Sequence, residues 1–123
     1  PLVVIKIFLT DKRGNMLKDT LKTENIGRRT TIDLSKELYD TRIPPLGSHV
    51  FDYSVKAVTG AGQIVLEIWV YPDEFYNRFF ENALKNNHDG MKRDELEEAY
   101  RITSKSGYLL FKKEISTNER SRQ

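Results

Sequence analysis

Apolar residues in this chain recur first at every second position, then at every third or fourth, then at every second again. The two-residue period runs to about Tyr71. Leu2–Leu9 (LVVIKIFL) is a dense β-branched run and predicts a strand buried on at least one face. Asp11-Lys12-Arg13-Gly14-Asn15 is a turn cluster, and Met16–Thr23 alternates loosely enough to pair back as a second arm. Arg29–Leu34 is β-prone but short, and Ser35–Tyr39 predicts one helical turn capped by Ser35.

Asp40–Gly47 (DTRIPPLG) predicts no regular structure, because Pro44-Pro45 removes two backbone donors and forces Ile43 extended. Phe51, Tyr53, Val55 and Ala57 then alternate with Asp52, Ser54 and Lys56. After Thr59-Gly60-Ala61-Gly62, Ile64, Leu66, Ile68 and Val70 alternate with Val65, Glu67, Trp69 and Tyr71. Two alternating runs around a glycine-rich link predict a hairpin.

The helical period begins after Pro72. Phe75, Tyr76, Phe79, Phe80, Ala83 and Leu84 form an apolar stripe, with Asp73 and Glu74 at the positive end of the dipole. Asn86–Gly90 ends that helix, with Asn or Gly available for a left-handed cap. A weaker helix spans about Asp94–Ile102, and Tyr108–Ile115 closes the chain as a strand. The order predicts a mainly β, antiparallel, immunoglobulin-like β-sandwich with two helices between the later strands. One domain covers residues 1–115, with a helical insertion at about 73–102 and a disordered polar tail over 116–123.

Composition narrows the partners. The 123 residues carry Lys+Arg 20 against Asp+Glu 18, a net charge of +2. Residues 1–72 hold 10 basic and 8 acidic side chains and residues 73–123 hold 10 of each, so no half is polarised. That balance argues against nucleic acid as the default partner. No apolar run approaches the roughly 20 residues of a membrane span, so no membrane insertion is expected. With no cysteine, the chain has no disulfide, thiolate metal site, cysteine nucleophile or covalent haem attachment.

Catalytic sets are hard to assemble. Ser48 and His49 are neighbours on an extended segment and face opposite sides, and His88 lies in a polar loop. His88-Asp89 is too small a ligand set for zinc, and the Asp11–Asn15 loop lacks the bidentate Glu of a calcium loop. The basic pairs Lys12-Arg13, Arg28-Arg29, Lys92-Arg93 and Lys112-Lys113 are most simply solvated faces. Thr59–Gly62 is too poor in glycine for a phosphate cradle. Trp69 and Tyr71 are the most chemically interesting pair: exposed, they would suit a sugar ring or a protein, and otherwise they pack under the aromatic helix.

Three stretches carry a family resemblance in order along residues 2–115. They are Val4–Leu17, Tyr39–Val55 with its Asp-Thr-Arg-Ile-Pro-Pro, and Ile64–Phe79, where a strand ending in Tyr leads into a helix. Together they resemble the C-terminal β-sandwich region of periplasmic multihaem c-type cytochromes. The haem motif Cys-x-x-Cys-His is missing, so the chain looks like a fragment cut after it. The resemblance implies an accessory, interaction-type part in electron transport, with haem only in the rest of the parent protein. It implies periplasmic placement, and as partner the haem-bearing remainder or a redox protein. The residues that would mark interaction or motif are Asp40, Arg42, Pro44, Pro45, Trp69 and Tyr71. No catalytic, cofactor or metal residue is expected, and the domain is expected not to be an enzyme. The alternative is a free-standing β-sandwich module binding carbohydrate or protein through Trp69 and Tyr71. A small hydrolase built on Ser48, His49 or His88 is the third reading.

Overall fold

The computed structural model describes residues 1–55, 59–86 and 92–117. Five strands and two helices follow in the order β1 (Leu2–Thr10), β2 (Lys22–Thr30), β3 (Glu37–Asp40), β4 (Gln63–Tyr71), α1 (Glu74–Asn86), α2 (Arg93–Ser104) and β5 (Tyr108–Ser116). All five strands belong to one antiparallel sheet with spatial order β3-β2-β1-β4-β5. The mainly β, antiparallel expectation therefore holds, with both helices between β4 and β5; among the described residues there is no second sheet.

The β-branched run of β1 earns the middle of the sheet. It pairs with β4 without interruption from Leu2↔Tyr71 to Thr10↔Gln63. Directly paired residues share a face. Leu2, Val4, Lys6 and Phe8 therefore lie with Tyr71, Trp69, Glu67 and Val65. Val3, Ile5, Ile7 and Leu9 lie with Val70, Ile68, Leu66 and Ile64 on the other face. The buried apolar residues are few: Phe8, Leu9, Val65, Ala83 and Leu96. The chain exposes 9252 Å². A compact monomer of this mass would expose roughly 6,800 Å².

Three local expectations are corrected. The second arm starts at Lys22 rather than Met16, which makes only an isolated bridge to Thr10. The intervening loop is held instead by Thr20, whose buried hydroxyl accepts from Leu9 N at 3.2 Å and donates to Leu17 O at 2.7 Å. Asp11 organises the first part of that loop, accepting from Arg13 N and Asn15 N at 2.8 and 2.9 Å. Those donors hold its carboxyl below the usual range.

Ser35–Tyr39 is not a helical turn: Glu37–Asp40 pairs with β2 through Arg28↔Asp40, Arg29↔Tyr39 and Thr30↔Glu37. Ser35 serves Asp33 instead of capping. The Asp33 carboxylate takes the Thr31 hydroxyl, Ser35 N and the Ser35 hydroxyl at 2.6, 3.0 and 2.7 Å. The hydroxyl donors lower its pKa to about 2.

The hairpin between Phe51–Ala57 and Ile64–Val70 does not form. β4 already has β1 on one side and β5 on the other, so no edge is left for Phe51–Val55, which is not a strand. Residues 49–53 instead reach β2 and the loop before it. His49 meets Glu24, Lys22 lies 4.8 Å from the Phe51 ring centroid and bonds Asp52 O, and Tyr53 donates to Thr20 O at 2.5 Å. Residues 56–58 of the expected hairpin lie outside the described residues.

The helices are where the 3.6 period places them. Asn77 joins them, donating to Thr103 Oγ1 at 3.0 Å and Ser104 Oγ at 2.8 Å. Arg78 ties α1 to the sheet: it pairs with Glu74 at 2.6 Å and donates to Thr30 O at 3.1 Å. The expected cap at Asn87–Gly90 and His88 lie outside the described residues. So does most of the expected tail, although Ser116 closes β5 and Thr117 N donates to Gly62 O at 3.2 Å.

Candidate functional site

Asp40–Pro45 runs from the end of β3, an outer strand of the sheet. Arg42 forks onto Asp40, with Nε–Oδ1 at 2.9 Å and a terminal nitrogen–Oδ2 at 2.6 Å. Its backbone N–H adds a third contact to Oδ1 at 3.2 Å. These donors lower the Asp40 pKa to about 2, the side-chain bonds counting most. Between the pair, Thr41 continues the sheet: its N–H donates to Gly27 O at 2.8 Å and its hydroxyl to Asn25 O at 2.7 Å. Gly27 N donates back to the Thr41 hydroxyl at 3.0 Å. Sequence reasoning singled out Asp40 and Arg42 and missed Thr41, whose only signal was a β-branched residue between them.

Pro44 and Pro45 open a tight turn. Gly47 N donates to Pro44 O at 2.9 Å, which places Pro45 and Leu46 at its two central positions. Leu46 has φ 61°, the left-handed region that bulky residues avoid. Its side chain is fully exposed, and Leu34, Leu38, Ile43 and Val50 nearby in the chain are exposed as well. Leu34 also has a positive φ, 63°.

Trp69 and Tyr71 lie on one face of β4, two residues apart. Trp69 donates its indole N–H to Glu67 Oε1 at 3.0 Å. The Lys6 ammonium sits over the indole at 5.2 Å from the ring centroid. Both aromatic residues are half-buried. Tyr71 packs against the backbone of Gly107, where an added Cβ would meet Cδ1 and Cε1 at 2.6 Å. The indole face is thus shared with a cation, which is poor preparation for stacking a sugar.

His49 Nε2 lies 2.8 Å from Glu24 Oε1, off the line of the ring N–H, so the contact is one of opposite charges when the imidazole is protonated. Among the described residues no hydroxyl is hydrogen-bonded to this imidazole, and Ser48 is exposed. Four of the eight side chains in the basic pairs meet a carboxylate: Arg28 meets Glu37, Arg29 meets Glu74, Arg93 meets Glu97 and Lys112 meets Glu114. The surface also carries open clefts. One of about 640 Å³ is lined by Thr31, Ile32, Asp33, Ser35, Lys36, Phe79 and Asn82. Another of about 450 Å³ lies between the Asp11–Gly14 turn and Glu114. In the first, Thr31 and Ser35 direct three hydrogen bonds to the Oδ1 atom of Asp33. Among the described residues no three His, Asp or Glu side chains are grouped to hold a metal ion.

No family model matches the chain, and no curated protein or solved structure is significantly similar to it. The residues brought together are those of one sheet edge, Asp40, Thr41 and Arg42 with the turn at Pro44–Gly47; Trp69 and Tyr71 belong to a strand on the far side of β1.

Proposed function

We propose that this chain is a non-catalytic accessory domain of a larger multihaem cytochrome-type electron-transfer protein in the periplasm. The observation that carries the reading is the set of exposed apolar side chains in the stretch of chain around Asp40–Pro45. Leu34, Leu38, Ile43, Leu46 and Val50 are all exposed, and Leu46 is held outward by a turn that sets it at an unfavourable φ. Exposed large apolar side chains gathered in one stretch of chain are candidates for a contact, and backbone strain tends to persist where it serves one. The Asp40–Arg42 fork and the two prolines make that segment rigid before it docks, which lowers the cost of ordering it on binding. The same segment is the one whose Asp-Thr-Arg-Ile-Pro-Pro carries the family resemblance. In this reading the haem-bearing remainder packs on those exposed side chains and contributes the second layer of the sandwich.

The chain has no cysteine to attach a haem covalently, and in this reading the haem is carried by the rest of the parent protein. The domain's own work is to shape and rigidify a surface beside the redox centres.

The test starts at the gene. The reading frame that encodes this chain should also encode Cys-x-x-Cys-His, and a frame without it sinks the proposal. At the protein level, the separately produced haem-bearing portion should retain this chain on a column. Ile43→Ser, Leu46→Ser and Val50→Ser together should abolish that retention while leaving the sheet's circular dichroism unchanged.

A further inference from the structure

The other outer strand is a different kind of surface. β5 pairs only with β4, and from Phe111↔Ile68 to Ser116↔Gln63 its ladder is unbroken. Its free side presents every second backbone N–H and C=O with no strand beside it. Tyr108, Leu109, Leu110, Phe111 and Ile115 are all exposed. No proline, helix or loop seals this edge among the described residues. We propose that a second copy of this chain adds to it, β5 against β5, antiparallel, about a two-fold axis through Lys113.

The choice of occupant rests on charge and pattern. Two strands related by a two-fold perpendicular to the sheet must pair residues of like face, so only alternate registers are open. With the axis at Lys113, Lys112 lies opposite Glu114 of the second copy, and Glu114 opposite its Lys112. Phe111 lies opposite Ile115, twice. The edge is therefore its own complement in charge and in apolar size. Lys112 and Glu114 already lie side by side on one face, 3.3 Å apart, so the second copy completes a four-membered alternating square. Moving the axis to Lys112 sets Glu114 against Leu110, and moving it to Glu114 sets two carboxylates on each other. The like-charged Lys113 pair at the axis keeps the association reversible.

Sedimentation velocity over a concentration series tests this on the intact chain. Reversible monomer–dimer behaviour is expected, and a monomer at every concentration up to about 1 mM overturns the proposal. Lys112→Glu alone and Glu114→Lys alone should each weaken the dimer by about tenfold or more, as like charges then face each other. The double variant, Lys112→Glu with Glu114→Lys, should restore it. A double variant no better than either single one overturns the register. A second measurement does not depend on those charges. The chain has no cysteine, so Lys113→Cys introduces one thiol, and directly opposed residues lie within disulfide reach. Mild oxidation should give covalent dimers far faster than it does for Lys105→Cys at the end of α2. Equal rates, or assemblies larger than a dimer, count against it.

Discussion

β3 and β5 border the same sheet, yet one is sealed and the other open. β3 has four residues, and the chain leaving it is at once pinned to β2 by Thr41, clamped by the Asp40–Arg42 fork and turned away at Pro44-Pro45. That leaves an edge of only four residues before the chain turns away at two prolines. β5 has nine residues, with exposed side chains from Tyr108 to Ile115, and its protection is limited to Lys112 and Lys113. Short length, proline and inward-directed charge are the usual ways to blunt an edge. The contrast teaches that apolar exposure has two forms here. At β3 it is carried by side chains on rigid turns, suited to packing against a preformed surface. At β5 it accompanies free backbone groups, suited to accepting a strand.

Both edges hang on the β1–β4 spine, so the largest effect comes from breaking that. Phe8→Ala removes one of the buried apolar side chains, directly opposite Val65. The loss should be about 3–5 kcal/mol, read from urea unfolding, and should take both edges with it. A loss confined to one edge would show that the spine is not shared.

Single-edge changes sharpen the comparison. Gly107→Ala places a methyl 2.6 Å from the Tyr71 ring just before β5, and the ring or the strand must move. About 1–3 kcal/mol of destabilisation is expected. Hydrogen exchange should rise along β5 and stay unchanged along β3. Thr41→Val keeps the shape at β3 but deletes a hydroxyl that donates to Asn25 O and accepts from Gly27 N. Its cost should be about 1 kcal/mol, with exchange rising at Gly27 and Thr41 and not in β5.

The two edges were also unequally legible in the sequence. β5 was read within one residue of its end, because Tyr108–Ile115 is a compact run bounded by Ser106-Gly107. At β3 the sequence points instead to a helical turn over Ser35–Tyr39. Four residues are too few to show a period, and Ser35 resembles a cap until Asp33 is seen to claim its hydroxyl. The expected hairpin failed for a different reason. Alternation in Phe51–Val55 marks an extended segment but does not say which neighbour it has. A β-branched run at the start of the chain outcompeted it for β4. The Asp40–Pro45 segment was legible as irregular and rigid, since proline chemistry is local. That Leu46 would sit at positive φ, or that Lys6 would lie over Trp69, depends on backbone and register that no composition reveals.

Acidification separates the edges without mutation. The Asp40 pKa is lowered from 3.8 to about 2, chiefly by hydrogen bonds from Arg42. A carboxylate whose pKa is lower folded than unfolded contributes its full stability above the unfolded value. That contribution fades as pH falls from about 4 toward 2. The fork is exposed to solvent, so its effect on global stability should be modest. Asp40→Asn should flatten the acid limb of the stability curve, and the carboxyl carbon of Asp40 should titrate near 2 by NMR. A titration at the ordinary value would mean that the fork does not hold in solution.

The smallest effect concerns the turn that holds Leu46 outward. Leu46→Gly removes the side chain from a left-handed position, where glycine has no steric penalty. Against this, glycine loses more freedom on folding. The two terms are of similar size, and the net change should be a gain of no more than about 1 kcal/mol, because Leu46 buries nothing in the isolated domain. Thermal melting of Leu46→Gly should therefore match or slightly exceed that of the parent chain. A variant that melts several degrees lower would place Leu46 in a structural role at the β3 edge, and would leave the contrast with β5 resting on the Asp40–Arg42 fork and Thr41 alone.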